Sequence, residues 1–249
     1  MRCSLCSRNI GFMCGRVTLT HPDMDEIAAL CGAEWGSDLL GPESYRPRFN
    51  VAPTDRHWIV RPGSGHSRLL VPATWGMTGS KVPLVINARA ESAAEKPMFR
   101  RALRERRCAV VTDGFYEWVS AGGRARLPIW FHRPAGGLLL LAGLYDESPR
   151  GVPPRFVVLT TAANQMVTPV HDRMPAIIPP DRLGPWLEAG DPGLLTPAAE
   201  DTLVATPVST RVNSVANDDP SCLEPPTEPA PDTPPPVKQK RQLGLFDES

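Results

Sequence analysis

The sequence predicts an α+β domain. Its core is a mixed, strongly bent, barrel-like β-sheet with flanking short helices, and a disordered C-terminal tail follows. Three observations predict this. Short apolar, β-branched runs outnumber helical periods, and the connections between them are mostly short. The run Leu138–Tyr145 is nearly continuous in apolar residues, the pattern of a central strand covered on both faces. Residues 225–236 hold seven prolines in twelve positions, a composition that favours an extended, unpacked tether.

With 249 residues, 41% of them hydrophobic, the chain can build one sizeable core. The 27 basic and 27 acidic residues give a formal net charge of +0, so overall charge does not mark a nucleic-acid binder. The balance is uneven, however. Arg100, Arg101, Arg104, Arg106 and Arg107 form a basic cluster that can meet phosphate. No secretory segment opens the chain, and no run reaches the ~18 apolar residues of a membrane span, so its six cysteines are expected to be reduced thiols in the cytoplasm. Cys3-x-x-Cys6 has no second pair at ligand spacing, and neither a metal nor a cofactor is expected.

Residues 1–12 carry no hydrophobic period and precede a second start at Met13. Val17–Leu19 reads as a strand, and Thr20 or Asp23 can cap a helix over 23–31 that Gly32 stops. Strands follow at His57–Arg61 and Arg68–Pro72, separated by a turn at Gly63–Gly65. Val82–Ile86 predicts a buried strand that delivers Asn87. Ser92 can cap a short helix, and Pro97 can start the helix that carries the arginines. Cys108–Thr112, Ile129–His132, Leu138–Tyr145, Phe156–Thr161 and Leu203–Val208 complete the strands, with a hairpin turn at Gly122-Gly123 and a short helix over 182–187.

Cys14, Asn87, Glu117 and His171 stand out chemically. If the chain begins or is cut at Cys14, that residue carries an α-amine and a thiol on adjacent carbons, with ordinary pKa values near ~8 and ~8.5. Such an aminothiol condenses with an aldehyde and closes to a thiazolidine; an internal cysteine is simply buried. Asn87 can orient an amine or merely form a turn. Glu117, between Tyr116 and Trp118, is a carboxylate whose aromatic neighbours would desolvate it, or an arginine partner. His171 can shuttle protons near neutrality or serve the structure alone.

These residues lie in ordered blocks: Met13-Cys14-Gly15-Arg16, Asn50–Thr54, Trp75-Gly76, Asn87–Glu91, Arg107-Cys108, Asp113–Trp118 and His171–Pro175. Together they resemble the SRAP family, the SOS response-associated peptidases or abasic-site processing proteins, from Met13 to about Pro220. The resemblance implies a leader over 1–13 that is removed or not translated, a catalytic and DNA-binding domain over 14–222 and a tail over 223–249. It implies an autopeptidase, with Cys14 exposed by self-cleavage or by an aminopeptidase, and possible lyase chemistry. Cys14 then traps abasic sites in single-stranded DNA as a thiazolidine crosslink, protecting lesions at replication forks. By position, Asn87 holds the amine, Glu117 is the acid–base group and His171 assists ring opening. Arg16, Arg89 and Arg100 fall on phosphate contacts, and Trp75 and Trp118 on base contacts. In the tail, Gln242, Leu243, Leu245 and Phe246 are similar to the pentapeptide by which bacterial repair proteins bind the sliding clamp. A monomer acting at the nucleoid, without a membrane, is implied. Two other classes stay open on the residues: a cysteine peptidase acting on other proteins, and a non-catalytic single-strand binder.

Overall fold

The computed structural model describes residues 15–36, 44–79, 84–120, 126–149 and 151–227. In chain order the strands are β1 (Val17–Leu19), β2 (Glu34–Trp35), β3 (Arg48–Val51), β4 (Arg56–Pro62), β5 (Arg68–Trp75), β6 (Asn87–Arg89) and β7 (Arg107–Thr112). They continue with β8 (Gly114–Ser120), β9 (Arg126–His132), β10 (Leu139–Asp146), β11 (Arg155–Ala162), β12 (Arg173–Pro175), β13 (Ile177–Ile178) and β14 (Val204–Pro207). The helices are α1 (Met24–Leu30), α2 (Ala90–Ala93), α3 (Pro97–Glu105) and α4 (Leu183–Ala189).

Among the described residues these strands form two sheets. The smaller runs β14-β9-β8-β1-β3, and the larger runs β12-β11-β10-β7-β4-β5-β2, with β13 beside β10 and β6 beside β11. The end of β5 meets the start of β11 over two residue pairs, Arg155↔Thr74 and Phe156↔Trp75. The larger sheet therefore curls over without closing along its length, in keeping with the bent core that the sequence predicts. Val17, Ile86, Phe115, Phe131, Val158, Val167 and Met174 share one buried cluster between the sheets. A second cluster, which includes Ile27, Phe99, Trp186 and Leu187, lies between the larger sheet and the helices.

Local chemistry sets the element ends. Of the two capping candidates, Asp23 caps α1, accepting from the N–H groups of Asp25 (2.8 Å) and Glu26 (3.1 Å). Pro97 occupies the first turn of α3, where its missing N–H costs nothing. Ser92 lies inside α2, whose N-cap is Arg89. One strand differs from expectation: in the segment before Asn87, Val85 makes an isolated bridge to Met77, and the regular strand starts at Asn87 itself. The reason is tertiary, because residues 87–89 find a partner in β11, paired in parallel as Asn87↔Val158 and Arg89↔Thr160. Residues 80–83 and the expected Gly122-Gly123 turn lie outside the described residues.

The basic cluster is divided by the fold. Arg107 is 7% exposed. Its guanidinium donates to the carbonyls of Leu103 (2.7 Å) and Arg104 at the end of α3, and to those of Trp186 (2.9 Å), Leu187 (3.1 Å) and Glu188 (2.7 Å) at the end of α4. One cation thus donates to the last carbonyls of two helices and sits at the negative end of both dipoles. Arg107 is an internal staple, and the expectation that it meets phosphate does not hold. Replacing it with Ala removes a donor from five carbonyls, of which Trp186 O keeps the Gly190 N–H at 3.1 Å. Arg107→Ala should cost about 3 kcal/mol and lower the thermal midpoint by roughly 6–12 °C, measured by calorimetry. An unchanged midpoint would show that the staple contributes nothing to stability.

Candidate functional site

The site begins with the register of β1 against β8. Val17 pairs with Phe115 and Thr18 with Gly114, and the Arg16 carbonyl accepts from Tyr116 N–H at 3.0 Å. The same antiparallel register carried one residue further sets Gly15 opposite Glu117. Side chains alternate along β8. Phe115 and Glu117 therefore share the inner face, where Glu117 is 3% exposed, while Tyr116 and Trp118 take the other. Tyr116 packs there with Val212 and Cys222 and donates its hydroxyl to Phe49 O (2.7 Å). The aromatic rings beside Glu117 in sequence are thus not what covers it. Its burial comes from the strand's inner face.

Asn87 arrives from the other sheet. A Cβ on Gly15 would sit 3.9 Å from Ile86 Cδ1, so the residue before Asn87 packs against the start of the β1 segment. Trp75 holds that segment: its indole N–H donates to Ile86 O at 3.0 Å, and its ring stacks on Phe156 with centroids 6.0 Å apart and planes 12° apart. Trp75 is fully buried, with no ring face left for a base. The expected base contact at Trp75 is therefore corrected to a positioning role.

His171 reaches the same region by way of β11. The chain leaves β11 at Ala162 and turns on Asn164, which is 5% exposed. The Asn164 side chain accepts from Val167 N–H (3.1 Å) and donates to Ala198 O (3.1 Å). His171 follows, half-buried, with its own N–H on Val167 O (3.0 Å). Its Nδ1 lies 3.0 Å from the Arg173 N–H and 3.0 Å from an Asp172 carboxylate oxygen. A backbone N–H can only donate, so the neutral ring keeps its proton on Nε2. Protonation would instead turn Nδ1 toward Asp172. Arg173 then grips Glu91 with two bonds of 2.6 and 2.8 Å and donates to Thr160 O (2.6 Å). That fork joins the Asn87–Glu91 block to the His171–Pro175 block and holds the Glu91 carboxyl below its usual range. Asn87 and His171 thus flank β11 on either side.

Residues 13–215 match the family model for SOS response associated peptidase (SRAP). The chain belongs to the SRAP family. It is 33% identical over 228 residues to the abasic site processing protein YoqW of Bacillus subtilis, an overlap of 85% of this chain and 99% of that protein. It is 30% identical over 227 residues to the abasic site processing protein HMCES of Gallus gallus, covering 73% and 67% of the two chains. For YedK of Escherichia coli, which carries the same description, the figures are 29% over 184 residues, 70% and 79%. A solved protein from Bacteroides thetaiotaomicron superposes with a TM-score of 0.70 at 22% identity, covering 85% of this chain and 99% of that one. One from Bordetella bronchiseptica gives 0.63 at 24%, covering 79% and 100%.

The remaining candidates of this SRAP chain fall in different places. Arg16 donates to Asn50 Oδ1 (2.6 Å) and Val212 O (2.8 Å), and its guanidinium carbon stands 5.8 Å from the centroid of Trp118. Much of its charge therefore fixes the site wall. Trp118 is half-buried and donates its N–H to Asn213 Oδ1 (2.6 Å). Arg89 and Arg100 are exposed. Cys14 and the tail residues Gln242, Leu243, Leu245 and Phe246 lie outside the described residues.

Two residues of this wall were missed in the sequence. Arg126 is exposed, places its guanidinium 5.5 Å from the Trp118 centroid and acts on His171 through its charge. Asn213 donates to Arg126 O (3.2 Å) while accepting from Trp118. A lone Arg and a lone Asn, far from any motif, carry no local signal; only tertiary pairing reveals them.

Burial pushes the His171 pKa below the ordinary imidazole value, with Asp172 opposing and Arg173 and Arg126 reinforcing the shift. His171 should therefore titrate below the ordinary imidazole value in the folded protein. Asp172→Asn removes an influence that raises the value, so it should lower it further. The unfolded chain takes the proton first on acidification, so this group weakens the fold as pH drops through that window. Imidazole NMR shifts followed against pH test this; a midpoint above the ordinary value would contradict it.

Proposed function

We propose that this protein captures abasic sites in single-stranded DNA as a covalent adduct on Cys14. One observation carries the reading: Gly15 packs on Ile86, the neighbour of Asn87, and the β1–β8 register brings it opposite Glu117. The residue before Gly15 in the sequence is Cys14. The abasic site processing proteins to which the chain is similar support the substrate class.

The chemistry balances without a cofactor. The Cys14 α-amine attacks the aldehyde carbon of the ring-opened abasic sugar, and the carbinolamine loses water to give an imine. Glu117 delivers the proton that leaves with that water. The Cys14 sulfur then adds to the imine carbon while its proton ends on the ring nitrogen, closing a thiazolidine. The sum is aldehyde plus aminothiol giving thiazolidine plus water. Asn87 orients the amine, and neutral His171, with its proton on Nε2, assists the opening of the sugar ring. Arg16, Arg89 and Arg100 meet phosphates, and Trp118 supports a base. The scheme requires a free amine on Cys14, so residues 1–13 are absent from the working protein, and a self-cleavage at Met13–Cys14 frees that amine. Reversal by a lyase step runs through the same imine. The working place is the nucleoid at replication forks.

Incubation with single-stranded DNA bearing one abasic site should give a heat-stable adduct on a denaturing gel, on protein whose intact mass begins at Cys14. Cys14→Ser should abolish it, and Glu117→Gln should slow it by about 100-fold or more. An adduct undiminished by Cys14→Ser would overturn the proposal. The tail sequence Gln242–Phe246 is proposed to dock on the bacterial sliding clamp from its proline-rich tether, with affinity of order micromolar. Deleting residues 242–246 should abolish clamp pull-down while the adduct persists; equal recovery would reject the tail's role.

A further inference from the structure

The basic cluster around α3 sorts into engaged and unengaged charges. Arg101 pairs with Glu105 at 2.8 Å, Arg106 with Asp146 at 3.1 Å, and Arg107 is consumed by the two helix ends. Lys96, Arg100 and Arg104 are exposed, and among the described residues none of them has a carboxylate partner. Arg100 and Arg104 stand at i and i+4 on one face of α3, and Lys96 is the extended N-cap residue just before its first turn. The opposite face buries Phe99 and Ala102, so the cationic stripe is held outward by the core. Nearby carboxylates are taken: Glu91 by Arg173, Glu105 by Arg101 and Asp146 by Arg106. Glu95, exposed just before the helix, makes no ion pair with the stripe among the described residues.

The direction of the stripe follows from strand register. β11 runs from Arg155, opposite Asp146, to Ala162, opposite Arg173. Its length is about 23 Å. The His171 side of the site lies at the Ala162 end, and Arg106, just past α3, pairs with Asp146 at the other. Between them the chain passes from Asn87 through Arg89 and α2 into α3. The stripe therefore starts beside the site and leads away from it over about 12 Å from Lys96 to Arg104.

We infer that the Lys96–Arg100–Arg104 face of α3 is a phosphate-tracking surface for the single-stranded DNA flanking the lesion, continuing the line that Arg89 begins. This rests on the proposed DNA-capturing role. It adds a sequence-independent interaction outside the site, of the kind that sets affinity through counterion release.

The test reads non-covalent binding of a lesion-free single-stranded oligonucleotide by fluorescence anisotropy across a salt series. Lys96→Gln/Arg104→Gln should weaken binding and flatten the slope of log K against log salt by about 1.4, at ~0.7 for each phosphate no longer neutralised. Arg101→Gln, which removes a charge already paired, should leave the slope near wild type. Equal slopes for the double variant and wild type overturn the surface, as does an equal flattening by Arg101→Gln, which would mean a general charge effect. Melting curves confirm that the exposed substitutions leave the fold intact. Because the DNA carries no lesion, the slope decides the α3 surface whether or not an adduct forms.

Discussion

The pairing of three residues, Val17–Leu19, with β8 and β3 is the constraint on which the site depends. A strand this short cannot hold its own register. It is pinned from both ends. At one end Asp113 accepts from the Thr18 hydroxyl and from the Thr20 backbone and hydroxyl, the last at 2.6 Å. At the other, Arg16 is anchored to Asn50 and to Val212 O. A slip of one residue would move Gly15 out of register with Glu117 and turn the side chains of β1 to its opposite face, while β8 stays held by β9. Gly114 belongs to the same device: a Cβ there would fall 2.0 Å from the Trp130 indole nitrogen, so the strand beside β1 must open on glycine.

Much of this was legible in the sequence, for identifiable reasons. β10 and β11 read clearly because both faces are buried, leaving unbroken apolar runs. α3 announced itself through Pro97, which can start a helix. β2, β6, β12 and β13 did not, being two or three residues long and held by partners distant in the chain, and β3 and β8 were not read as strands either. At the site, Asn87, Glu117 and His171 were found as polar residues at strand ends or turns, and the ordered blocks marked them further. Trp75 was misread because an aromatic beside a glycine looks the same whether it faces solvent or Phe156. Glu117 was placed in the right region for the wrong reason, since neighbours in a strand point to opposite faces.

The arginines teach a similar lesson about charge. Along the chain, residues 100–107 look like one basic patch. In the fold, Arg107 caps two helices, Arg101 and Arg106 are neutralised locally, and the remainder line up with Lys96. Arg16 likewise commits its Nη1, and Arg173 both terminal nitrogens, to bonds that tie sequence-distant blocks together. Counting charges therefore overstates the surface available to phosphate, and the pattern of engagement decides what is left.

The clamp on Asn50 has a consequence for synthesis. Asn50 Nδ2 reaches the carbonyls of Val212, Ser214 and Asn217, and the Asp218 carboxylate accepts from the N–H groups of Phe49 and Asn50. These contacts join the first fifth of the chain to residues made almost two hundred positions after Arg16. On the ribosome, β1 and β3 emerge long before the segment that locks them. The β1 end of the domain is thus completed last, although it is translated first. A truncated product lacking residues 209–224 would carry Asn87, Glu117 and His171 and still lack the contacts that lock β1 and β3.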